Sequence, residues 1–90
     1  MIELGGGIKL DGFEVIEPSL LIVVKKVIGN YAKKMSEQIP SFKEVLVSVS
    51  EKYKIKATLV ANSEYHSISN NSNLFFALDQ ALNEILNKAK

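Results

Sequence analysis

The sequence contains no cysteine and no tryptophan, a single histidine, two prolines and, although eleven of its residues are basic, no arginine. Without cysteine there are no disulfides, no thiolate nucleophile and no zinc–cysteine site. The absence also agrees with a reducing compartment, and the expected location is the cytoplasm. Without arginine there is no planar fork to read a guanine edge in bidentate fashion, whereas lysine meets phosphate as a point charge. Any nucleic-acid contact is therefore expected to follow the backbone without direct sequence readout. Long apolar runs are missing too. A run such as Leu20 to Val24, which none exceeds, is far too short to cross a bilayer, so no membrane partner is expected. The start, Met1-Ile2-Glu3-Leu4-Gly5-Gly6-Gly7, lacks the basic and then apolar stretch of a secretory signal, and none is expected.

What is present describes a packed chain. It has 90 residues, 47% of them hydrophobic and 23% charged, which suits a single soluble domain over 1–90 and argues against disorder. The net charge is +1 but unevenly placed. From Lys25 to Lys56 eight lysines face three acids, a local +5. The remaining three lysines and seven acids give −4.

Ile2-Glu3-Leu4 and Ile8-Lys9-Leu10 alternate like strand around three glycines, which fits one bulged strand or two short ones. The chain turns near Asp11-Gly12. Glu17-Pro18-Ser19 reads as a helix start, and the apolar spacing of Leu20, Val24, Val27, Ile28, Tyr31 and Met35 predicts a helix to about Gln38. Val45, Val47 and Val49 alternate with Leu46, Ser48 and Ser50. Ile55, Ala57 and Leu59 alternate with Lys54, Lys56 and Thr58. Tyr65 to Ser69 is a third short strand of this group. Asn70-Asn71-Ser72-Asn73 offers several helix caps before an apolar face made of Leu74, Phe75, Leu78, Ala81, Leu82, Ile85 and Ala89. The predicted class is α+β in the order β-α-β-β-β-α, a mostly antiparallel sheet with two helices packed on one face.

Little in the chain resembles catalytic chemistry. Gly5-Gly6-Gly7-Ile8-Lys9 lacks the spacing of a phosphate loop and reads as a bulge or tight turn. His66 is alone, so no metal site is expected. Strand alternation turns it away from Ser67, so a serine–histidine pair is disfavoured. No enzymatic role and no cofactor are expected. Two surfaces invite binding. Lys25, Lys26, Lys33 and Lys34 repeat at an eight-residue spacing along one helix face, with Lys88 and Lys90 at the end of the second helix. These six form a candidate RNA-binding set, to be weighed against an ordinary solvated face. The other surface holds Leu46, His66 and Ile68 on the uncovered side of the sheet. Phe76, opposite the apolar face of the second helix, is positioned either to stack on a base, to meet a protein, or to tuck against the N-terminal segment.

The stretches Lys56-Ala57-Thr58-Leu59-Val60, Tyr65 to Ser69, and Asn73-Leu74-Phe75-Phe76-Ala77-Leu78-Asp79 resemble the third strand, fourth strand and second-helix opening of the ribosome hibernation promoting factors, also called ribosome-associated translation inhibitors. Phe75 falls on that family's aromatic position and Asp79 on its aspartate. The resemblance implies binding to the small ribosomal subunit, in the channel used by mRNA and tRNA, with translation silenced under stress. Lys33 falls on a usually basic position of the family. Val27, Asn30 and Glu84 occupy positions that are often basic there. The alternative is a small protein-interaction or homodimerisation module that does not bind nucleic acid.

Overall fold

The computed structural model describes residues 2–5, 7–50 and 53–89. Of the two readings of the N-terminus, the pair of short strands is the one observed. β1 (Ile2–Gly5) and β2 (Ile8–Asp11) form an antiparallel hairpin whose register shifts between Glu3 and Gly5. Gly7 is required where it sits. Its φ is +81°, and an added Cβ would collide with the carbonyl oxygen of Lys43. That close approach lets the Gly7 carbonyl accept a 2.8 Å hydrogen bond from the Val45 amide, which starts the pairing with the next strand.

After β2 the chain makes a 3-10 turn at Phe13–Val15 and enters α1 (Pro18–Gln38) with proline at its first position. The turn has no periodic signal in the sequence, yet it buries the whole side chain of Phe13. β3 (Glu44–Ser50), β4 (Lys54–Val60) and β5 (Glu64–Asn70) follow, then α2 (Leu74–Ala89). The five strands lie in the order β1-β2-β3-β4-β5. Only β2 and β3, joined across α1, are parallel, and the other neighbours are antiparallel. The asparagine cluster caps α2 through Asn73, whose side-chain oxygen accepts from the amides of Phe75 (2.9 Å) and Phe76 (3.2 Å).

The alternation of each strand decides the layers. Leu10, Val45, Val47, Ile55, Ala57 and Leu59 are fully buried on one face. Both helices cover that face, α2 over β4 and β5, with α1 beside it. Val24, Ile28 and Met35 from α1 meet Leu78, Leu82 and Ile85 from α2 in the same core. The opposite face is open and brings Lys9, Leu46, Thr58 and His66 into one cross-strand row, with Asp11, Ser48, Lys56 and Ile68 in the next.

Candidate nucleic-acid interface

A helix with one face on a sheet must turn its remaining residues outward, and the charged residues that α1 turns outward are mostly lysines. Lys26, Lys33 and Lys34 are exposed and Lys25 is half-buried. Four lysines and one glutamate, Glu37, are the charges of this helix. None of the four lysines is ion-paired among the described residues; the pairs observed there are Lys9–Glu44 at 3.1 Å, His66–Glu64 at 3.1 Å and Lys88–Glu84 at 3.2 Å. The Lys34 ammonium sits over the Tyr31 ring, 5.2 Å from its centroid, in the range of a cation–π contact. Gly29 is part of the same stretch, and nothing lies within 4 Å of a Cβ built on it.

Sequence reasoning put Tyr31 on the apolar face, and the structure adds what its hydroxyl does. The Tyr31 hydroxyl donates to Asp79 Oδ1 at 2.5 Å, tying α1 to α2 across 48 residues of chain. Burial of the phenol, together with the carboxylate that accepts its proton, pushes the Tyr31 pKa up to about 12. A buried-facing tyrosine needs a hydrogen-bond partner, so the sequence signalled the need without naming Asp79.

The second helix offers different chemistry. Asp79, Gln80, Asn83, Glu84 and Asn87 are exposed, and so is Phe76, 66% accessible, rather than tucked under the N-terminal segment. Lys88 is engaged twice, by Glu84 and by the His66 carbonyl at 2.8 Å. Lys90 lies outside the described residues. The six lysines of the candidate set therefore divide, with those of α1 gathered on one helix and Lys88 bound at the far end of the other.

On the open sheet face, Leu46 is half-buried, His66 is exposed and Ile68 is 56% accessible. His66 is held between two neighbours, with Nε2 positioned to donate to Glu64 and Nδ1 3.3 Å from the Thr58 hydroxyl. Lysines and acids are interspersed on this face, so it carries no field of one sign. Among the described residues, no three histidine, aspartate or glutamate side chains are grouped so as to hold a metal ion, and no helix is long and apolar enough to cross a membrane. A cleft of about 750 Å³ opens between the 3-10 turn, the start of α1 and the ends of β3 and β4. Val15, Ile16, Leu20, Val49 and Tyr53 line it, with Glu17 the one carboxylate at its edge among the described residues. Ile22, 70% accessible, and Val23 leave the start of α1 partly apolar on its outside.

These features define an α+β fold, a mixed five-stranded sheet with two helices on one face and a lysine-bearing outer surface on the first helix. Among solved structures it is similar to a ribosomal subunit interface protein from Coxiella burnetii, with a TM-score of 0.62 over 91% of each chain and 14% sequence identity. No family model matches the chain, and no curated protein matches its sequence. At that identity the likeness is one of fold.

Proposed function

We propose that this protein is a cytoplasmic, ribosome-associated RNA-binding factor that docks on the small ribosomal subunit through the outer face of α1 and restrains translation by occupying its RNA. It acts by binding and not by catalysis. The observation that carries the reading is the set of exposed lysines, Lys26, Lys33 and Lys34, none with an ion-pair partner among the described residues, with half-buried Lys25 beside them, on a helix with a single acid. Such lysines release condensed counterions when they meet phosphate. The fold likeness to a ribosomal subunit interface protein is the reason to look for that phosphate on the ribosome.

Sedimentation with small subunits tests this. The protein should travel with them at low salt and be stripped off as salt rises, with a log–log slope near roughly −3 if four phosphates are contacted. Replacing Lys25, Lys26, Lys33 and Lys34 together by glutamine should flatten the slope while the circular dichroism spectrum stays unchanged. A protein that remains at the top of the gradient even at low salt is not ribosome-associated. The second reading, association of two copies through Leu46, His66 and Ile68, is favoured by the exposure of Ile68 on the open face. It would then be tested by a self-association that salt does not weaken.

A further inference from the structure

Phe76 is a large aromatic side chain left two-thirds in solvent, in the first turn of α2. Its neighbours on the helix surface, Ser72, Asn73, Asp79, Gln80 and Asn83, are all polar and exposed. It is thus a lone ring in a polar setting, not the centre of an apolar patch of the kind that receives a protein. The ring is also well placed. Its backbone amide is fixed by Asn73 at 3.2 Å. Asp79, one turn further on, is tied to Tyr31 of α1, and the Lys34 ammonium lies over that same tyrosine. Phe76 therefore lies about one turn along α2 from the seam that Asp79 makes with the lysine-bearing helix.

We propose that Phe76 is a stacking platform for an unpaired nucleotide of the RNA whose phosphates the α1 lysines hold, an inference that rests on the RNA-binding reading above. The charge beside the seam selects an anionic partner. The ring selects one with exposed π-faces, because bases in a duplex already have theirs covered. Stacking tolerates any base, which suits a chain without arginine to read base edges.

Because the chain has no tryptophan, Phe76→Trp creates a single fluorescent reporter at the platform. A short oligouridylate should quench it, and an RNA duplex of the same length should not. In parallel, anisotropy of labelled RNA follows binding in the wild type, Phe76→Ala and Phe76→Leu. Both truncations should weaken single-strand binding by roughly 5- to 100-fold and leave duplex binding and the salt slope unchanged, since the ring neutralises no phosphate. Salt-dependent binding with no quenching, equal losses on single strand and duplex, or full affinity in Phe76→Leu would overturn the platform while leaving RNA binding intact. No binding of either RNA would overturn both readings. A change of sedimentation mass on Phe76→Ala without RNA would assign the ring to a protein contact instead.

Discussion

Tyr31→Phe removes one oxygen and keeps the ring that packs between the helices, so it isolates the hydroxyl bond to Asp79. That bond is 2.5 Å long and ends on a carboxylate, and hydrogen bonds to charged groups contribute about 1.5–3 kcal/mol. Asp79 is exposed, so water replaces the lost donor and no buried charge is stranded; the loss should fall at or just below the lower end of that range, about 1–1.5 kcal/mol. For a domain of this size that lowers the melting temperature by roughly 4–8 °C per kcal/mol. The effect has a defined pH window. The folded chain holds the Tyr31 proton to about pH 12, whereas a free phenol loses it near about 10. A raised folded value means the contribution is complete below the unfolded pKa and disappears as pH climbs through the folded one. The stability gap between wild type and Tyr31→Phe, measured by urea unfolding, should therefore be constant up to about pH 10, close near about pH 11 and reverse sign above that, since each pH unit between the two pKa values removes about 1.4 kcal/mol. Asp79→Asn and the double variant complete a cycle whose coupling should match the single loss. A gap and a coupling both below about 0.3 kcal/mol at neutral pH would refute the helix-to-helix tie.

Gly29→Ala should stabilise the protein by about 0.5–1 kcal/mol, because Gly29 lies inside α1 with open space where the methyl group would go; a lower urea midpoint in the variant would contradict this. Two serines on β5 should respond with opposite signs. Ser69 donates to the Ala77 carbonyl, so Ser69→Ala should cost about 1 kcal/mol. The buried Ser67 hydroxyl has no partner among the described residues, so Ser67→Ala should gain about 1 kcal/mol by removing an unsatisfied group. Thermal unfolding of both variants decides it, and destabilisation by Ser67→Ala would mean that its hydroxyl is satisfied.

The central strands were legible because each residue has a single fate. Val45 and Val47 face helices while Leu46 and Ser48 face the open side, and a period of two records that division. The capping of α2 was legible only as a cluster of four candidates, Asn70 to Asn73, from which the structure selects Asn73. The N-terminal hairpin was not resolved from a bulged strand, since the alternation of Ile2-Glu3-Leu4 and Ile8-Lys9-Leu10 marks strand on either side of the glycines without showing whether the chain reverses there. Phe13 could not be assigned because a lone apolar residue has no period. Ile22 and Val23 belong to a run that is apolar on every side, and only the position of the sheet decides which members emerge. Ala77 and Leu86 joined the expected face of α2 because that helix packs against α1 as well as the sheet, which widens its buried arc. Of the candidate site, the lysines of α1 were readable as a set. Lys88 was read with the RNA-binding set and its pairing with Glu84 was not, although the spacing of four allows it; the His66 carbonyl that also holds Lys88 comes from a different element.

On the proposed RNA-binding reading, the unequal charge of the helices constrains the pose. Along α1 four lysines oppose one acid, whereas α2 over Leu74–Ala89 has Asp79 and Glu84 against Lys88 alone. A phosphate backbone laid symmetrically over both helices would face Glu84 and Asp79 within about one Debye length, roughly 8–10 Å at physiological salt, and lose on α2 part of what it gains on α1. The favourable pose is therefore one-sided, with the backbone over Lys26 and Lys33 and α2 turned toward groups that carry no charge. Unpaired bases are such groups. On the polar crest of α2 the residue able to meet them with a flat apolar surface is Phe76, one turn ahead of the carboxylate that Tyr31 already occupies. A one-sided contact engages fewer phosphates than one using two basic helices, so both the affinity and its salt dependence should be modest. The aromatic contact should then make up a larger share of the total, and neutralising Glu84 by Glu84→Gln should strengthen RNA binding at low salt more than at high salt.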